Sequence, residues 1–171
     1  MSEPVPDRAR VAQISVSAGG VPKCAVPAAR VTRRGIEGDV QRNRRLHGGP
    51  DRAVCLFSLE RIRTLQAEGH PIVPGSIGEN VTLEGVDWEA IVPGVRLRLG
   101  AEVVVQITDY TAPCANITGS FRDRDVTSVS QRRHPGGSRV YARVLHEGGL
   151  ASGDPARILS ADEAWAPPAA R

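Results

Sequence analysis

Glycine and proline punctuate this chain so densely that few long regular elements fit between them: 171 residues contain Gly 18 and Pro 13. Glycine supplies turn conformations and proline stops helices, so the spacing favours many short strands joined by tight turns. The length suits one domain able to enclose its own core. Hydrophobic residues make up 40% of the chain but aromatics only 4%, so that core has to rest on Val, Leu, Ile and Ala.

Val11 to Ser17 reads Val-Ala-Gln-Ile-Ser-Val-Ser, the period-two alternation of an opening strand, and Gly19, Gly20 and Pro22 break it. Val26 and Val31 fit a second short strand that ends at Gly35 and Gly38. Ala53 to Phe57 is a compact apolar run, a buried strand. Ser58 follows as an N-cap, with a helix over Arg61 to Glu68 that stops at Gly69 and His70-Pro71. Further strands are expected at Val81 to Leu83, Val140 to Leu145 and Ala156 to Leu159, with a hairpin of Val95 to Leu99 and Glu102 to Thr108 turning at Gly100-Ala101. Residues 1–160 then form one mostly-β domain with one or two short helices, and 161–171 a loose tail.

No apolar run is long enough to span a membrane, and Met1 to Arg10 carry Pro4, Pro6 and charges where an export signal needs an apolar stretch. The expectation is a cytoplasmic protein with no membrane association. The cysteines, Cys24, Cys55 and Cys114, are odd in number and widely spaced, which suggests reduced thiols rather than a disulfide framework or a zinc cluster. Lys23 is the only lysine; every other basic residue is arginine, a skew that genome composition alone can produce. Residues 30 to 52 hold Arg30, Arg33, Arg34, Arg42, Arg44, Arg45 and Arg52 against Glu37, Asp39 and Asp51. Guanidinium forks suit phosphate oxygens. The stretch has no aromatic to stack on a base, so nucleic acid is not the expected partner.

Three loops carry chemistry. In His47-Gly48-Gly49-Pro50-Asp51-Arg52, the glycines let backbone N–H groups approach an anion while His47 and Arg52 flank it; a tight turn with solvated charges fits the string equally. In Gly75-Ser76-Ile77-Gly78-Glu79-Asn80, Glu79 and Asn80 can read the edge of a heterocycle, or Asn80 can satisfy the loop's own backbone. In Thr111-Ala112-Pro113-Cys114-Ala115-Asn116, Pro113 stiffens the chain before Cys114. A cysteine there is either a small buried hydrophobe or a thiolate, the form that acts as nucleophile and soft metal ligand. Cys55, inside Ala-Val-Cys-Leu-Phe, reads as a core residue, and Cys24 is ambiguous.

Taken in order, Gly-Val-Pro-Lys (20 to 23), Gly35-Ile36-Glu37-Gly38-Asp39, His-Gly-Gly-Pro-Asp-Arg (47 to 52), Gly78-Glu79-Asn80, Gly94 through Gly100, Pro113-Cys114, Val140-Tyr141-Ala142-Arg143 and Gly153-Asp154 closely resemble the stand-alone MOSC domains, relatives of the C-terminal domain of molybdenum cofactor sulfurase. The resemblance runs from Val11 to Leu159. It implies a closed β-barrel of the MOSC, or pyruvate-kinase-barrel, type and a site for molybdenum cofactor, a pterin dithiolene with a terminal phosphate. Cys114 takes the position of the family's catalytic cysteine, as metal ligand or persulfide carrier. By position Lys23, His47, Gly48, Gly49, Arg52, Glu79, Asn80 and Asn116 would line the cofactor pocket. The implied activity is reduction of N-hydroxylated small molecules with electrons from a separate donor protein. The alternative is a sulfur-carrier or cofactor-transfer module served by a cysteine desulfurase. The chain carries neither a pyridoxal-binding module nor an iron-sulfur cysteine cluster, so neither cofactor is expected.

Overall fold

The computed structural model describes residues 9–40 and 48–163. Its strands are β1 (Arg10–Val16), β2 (Cys24–Val26), β3 (Ala28–Thr32), β4 (Gly35–Ile36), β5 (Val54–Ser58), β6 (Val81–Glu84), β7 (Arg96–Leu99), β8 (Val103–Tyr110), β9 (Val140–His146), β10 (Gly148–Ala151) and β11 (Ala156–Leu159). The α-helix α1 (Leu59–Ala67) starts where Ser58 Oγ accepts a hydrogen bond from Arg61 N at 3.2 Å, the capping geometry its sequence calls for. The remaining helical segments are short 3-10 turns, among them Pro50–Arg52 and Ala115–Ser120.

Eight strands form one sheet in the order β11-β7-β8-β9-β5-β6-β1-β2, and β10-β3-β4 form a smaller one. Every neighbouring pair is antiparallel except β5 and β6, whose parallel pairing requires the crossover that α1 provides. The expected strand over Val26 and Val31 is two strands in different sheets, separated at Pro27.

The expected closed barrel is not what forms. The eight-stranded sheet has two ends, β11 and β2, and no ladder among the described residues joins its edges. The sheet curls until β1 meets the chain just before β11, but the contact is a single bridge, Arg10 with Pro155, flanked by Val11 N to Asp154 O at 2.8 Å and Ala156 N to Ala9 O at 2.8 Å. Pro155 has no N–H, and the Ser152-Gly153 turn delays the start of β11, so a continuous seam cannot be built there. The fold is mostly β, with mixed open sheets.

Register explains where the core sits and where it does not. Ile14, Val81, Leu56 and Val140 are partners in a row across β1, β6, β5 and β9, and all are sealed from solvent in one hydrophobic cluster. One residue over, side chains must point to the opposite face. That row is Ser15, Asn80, Cys55 and Tyr141, linked by Ser15 N to Asn80 O and Asn80 N to Cys55 O, both 2.8 Å, and by the Cys55–Tyr141 pairing. All four residues are buried too. The sheet therefore has an apolar face against the core and a polar face covered by loops, an arrangement that costs stability unless each polar group finds a partner. No helix among the described residues is long and apolar enough to cross a membrane.

Candidate functional site

The loops over the polar face carry most of the residues singled out by sequence. Lys23 Nζ meets Asp39 Oδ1 at 2.6 Å, with both side chains nearly excluded from water. Asp39 also accepts from Ser17 N at 2.9 Å and, through its other oxygen, from Asn80 Nδ2 at 2.9 Å. The Asn80 amide completes the link by accepting from Cys55 N at 3.1 Å and donating to Ser15 O at 3.4 Å. Asn80 thus ties β1, β5 and the Asp39 loop together, leaving little of its amide for a ligand.

Glu79 is fully buried. Its Oε1 accepts from Gly75 N at 2.5 Å and Thr82 Oγ1 at 3.4 Å, while Oε2 has no partner. Burial raises its carboxyl above the ordinary value of 4.5, against the opposing pull of the Gly75 N–H and the Arg139 charge. The loop is held closely here. Gly75 has φ +86° and a Cβ there would stand 2.5 Å from Lys23 O, so only glycine fits.

Arg139, just before β9, was not distinguished by sequence. It is 5% exposed, donates from Nη1 to Ile77 O at 2.5 Å, and its buried Nε has no partner. Its charge acts on Glu79, Cys55 and Tyr141. Cys55 is buried, with Sγ 3.8 Å from Thr111 Oγ1, and burial pushes its thiol above 9.0. Burial, then the Cys55 charge, pushes the Tyr141 phenol up to about 12. The Arg52 guanidinium sits 5.0 Å from the centre of the Tyr141 ring, in cation–π range. A clue to Arg139 did exist: an arginine placed two residues before Tyr141 shares that residue's side of the strand.

Cys114 lies half-buried on the loop after β8, at the N-cap of the Ala115–Ser120 turn, where its side chain makes no capping hydrogen bond. The same loop is bolted to the polar face. Thr111 N donates to Arg139 O at 3.0 Å, Ser138 Oγ donates to Thr111 O at 2.9 Å, and Ser120 Oγ donates to Ser76 O at 3.4 Å. The loop that carries Cys114 thus meets Arg139, which also bonds Ile77 O, and touches the Gly75–Asn80 loop at Ser76. Gly48 and Gly49 stand outside that network; Gly49, at φ +92°, caps the exposed Pro50–Arg52 turn. Asn116 is exposed. His47, with Arg42, Arg44 and Arg45, lies outside the described residues. Among the described residues no group of three His, Cys, Asp or Glu is placed to hold a metal ion.

Among the described residues, architecture and site define a mostly-β domain with one α-helix and a polar sheet face roofed by loops. The MOSC domain model matches residues 43–157, and the chain belongs to the MOSC domain family. It is 32% identical over 150 residues to the uncharacterized protein YflK of Bacillus subtilis (strain 168), a match covering 86% of this chain and 66% of YflK. Protein YiiM of Escherichia coli (strain K12) is 30% identical over 105 residues, 59% of this chain and 46% of YiiM. The chain thus spans just under two thirds of one relative and under half of the other. The crystal structure of YiiM from Geobacillus stearothermophilus has the same fold, with TM-score 0.70 and 24% identity over 89% of this chain and 75% of that one. The family is associated in general with molybdenum cofactor binding.

Proposed function

We propose that this domain binds molybdenum cofactor with Cys114 as the protein's ligand to molybdenum, and that it reduces N-hydroxylated small molecules. The observation that carries the reading is an imbalance of buried charge beneath a loop that also carries a half-buried thiol. Lys23 and Arg139 are nearly excluded from water on the roofed polar face; Asp39 is taken up by Lys23, and burial opposes the ionisation of Glu79. Arg139 keeps an unpartnered Nε there. Such a site favours an anion, and a phosphorylated pterin is one.

In this reading Arg139 and Arg52 hold the phosphate and pterin end, with Lys23 fixing the loop through Asp39. Cys114 contributes one sulfur bond. When bound, the cofactor supplies a two-electron redox centre. The reaction consumes two electrons and two protons, breaks the N–O bond and releases water; the electrons come from a separate flavin or iron-sulfur protein. The chain's own part is to bind, to orient and to keep water from the buried face.

The test is anaerobic purification from a host that makes the cofactor, followed by elemental analysis. Stoichiometric molybdenum, lost in Cys114→Ser and kept in Cys24→Ser, is expected, together with reduction of an amidoxime by a chemically reduced donor. Molybdenum-free protein with sulfane sulfur on Cys114 would replace the reductase with a sulfur carrier.

A further inference from the structure

The polar face of the large sheet continues beyond its roof. Register carries it from Tyr141 to Arg143 on β9, from Arg143 to Gln106 on β8 and from Gln106 to Arg96 on β7. Two residues along β7, on the same side, is Arg98, whose partner on β11 is Arg157. Four arginines therefore share one sheet surface, about 14 Å across from β11 to β9 at ordinary strand spacing.

Local acids balance only part of this charge: Asp51, Glu163 and, opposite Tyr141 on the same row, Asp109. Arg143 is met by Asp51 at 3.2 Å and Arg157 by Glu163 at 2.6 Å. Arg96 has no ion-pair partner among the described residues, and Arg98 has only a long 3.5 Å contact to Ala101 O, with its Nε buried and unpartnered. Arg98 and Arg157 stand directly opposite each other, a like-charge pairing that destabilises a sheet. A surface that leaves Arg96 and Arg98 without an internal acid is suited to an external one.

We propose that this face, Arg96, Arg98, Arg143 and Arg157, docks an acidic protein, namely the one that delivers electrons. The identity of the partner rests on the reductase reading; the docking surface itself does not. Position supports the choice. Asp51 and Arg52, in one short turn, touch Arg143 and cover Tyr141 respectively, so the patch borders the roofed site. Nucleic acid fits less well, because the only aromatic on this row, Tyr141, is buried under Arg52 and gives no stacking platform.

The experiment is calorimetric titration of the full chain with flavodoxin, a small acidic flavin protein, at low and at physiological salt. Arg96→Glu/Arg98→Glu should weaken binding by roughly tenfold or more, and Arg132→Glu/Arg133→Glu, the same charge change on an exposed turn, by far less. If burial of Arg98 stops the first variant folding, Arg96→Glu/Arg143→Gln leaves Arg98 in place and should show the same ranking. Equal weakening by the control pair, no flavodoxin binding, or arginine-dependent binding of a duplex DNA instead each overturns the proposal. Molybdenum analysis of the same samples separates the two readings. Metal-free protein that binds flavodoxin through Arg96 and Arg98 sinks the reductase alone; metal-loaded protein indifferent to these changes sinks the docking face alone.

Discussion

The ammonium of Lys23 and the carboxylate of Asp39 touch at 2.6 Å with side chains only 9% and 4% exposed. An exposed pair of this kind contributes little, but a buried one is costly to break because the survivor is left charged and dry. Lys23→Met should therefore cost about 3 kcal/mol of unfolding free energy. Asp39→Ala should cost more, because Ser17 N and Asn80 Nδ2 also lose their acceptor. The double variant should cost clearly less than the two losses added. Urea titrations of the three proteins measure this; additive losses below about 1 kcal/mol each would mean the pair is solvated.

Gly75 and Gly38 separate two reasons for a glycine. Both have positive φ, +86° and +91°, so alanine at either pays a left-handed penalty of about 1 kcal/mol. At Gly38 a Cβ meets nothing within 4 Å, whereas at Gly75 it meets Lys23 O at 2.5 Å and Ser15 Oγ at 2.9 Å. Lys23 O cannot retreat easily, since Lys23 N is itself bonded to Gly75 O at 2.9 Å. Gly75→Ala should thus lose roughly 1–3 kcal/mol more than Gly38→Ala. Similar thermal midpoints for both would show that the Gly75–Asn80 loop moves freely.

Buried Glu79 makes stability depend on pH in a defined direction. Its carboxyl is raised above 4.5 in the fold, so over the interval above 4.5 the unfolded chain releases a proton that the folded chain keeps. Stability from this group is full below pH 4.5 and declines as pH rises towards the folded value. Glu79→Gln has no such proton to lose and should flatten that decline, with the wild type falling further behind the variant as pH increases. Chemical denaturation at several pH values from mildly acidic to neutral checks this, and parallel profiles would refute a raised Glu79.

Much of this fold is written locally. β1, β5, β6 and the β7–β8 hairpin follow from period-two or compact apolar runs, and α1 from the Ser58 cap. β4 and β10 are short, and Gly35, Gly148 and Gly149 give them no side-chain pattern; β4 exists as the return of a tight turn from β3, and β10 because β3, far away in sequence, holds it. The barrel expectation failed at Pro155, where a missing N–H stops the seam. In the site, Lys23, Glu79 and Asn80 were legible as loop residues, but not that Asn80 spends its amide on Cys55 and Asp39. Cys55 sits in an apolar string, and only the strand register places it on the polar row beside Tyr141. Arg139 was missed because its burial is created by loops far away in sequence, the Ile77 carbonyl above all.

Arg139 offers the most direct test of whether the buried face waits for an anion. Among the described residues its side chain makes one hydrogen bond, to Ile77 O, and buries an unpartnered Nε among groups whose own ionisation burial opposes, Glu79, Cys55 and Tyr141. An isolated buried cation costs several kcal/mol of desolvation, more than the roughly 1–3 kcal/mol lost when Ile77 O is left without a donor. Arg139→Met should therefore be at least as stable as the wild type without cofactor, an outcome unusual for a residue only 5% exposed. The same variant should take up little molybdenum when produced in a cofactor-competent host, and Arg139→Lys should recover part of it. A large loss of stability in the metal-free Arg139→Met protein would assign Arg139 to the scaffold instead, as a structural brace for the Ile77 loop.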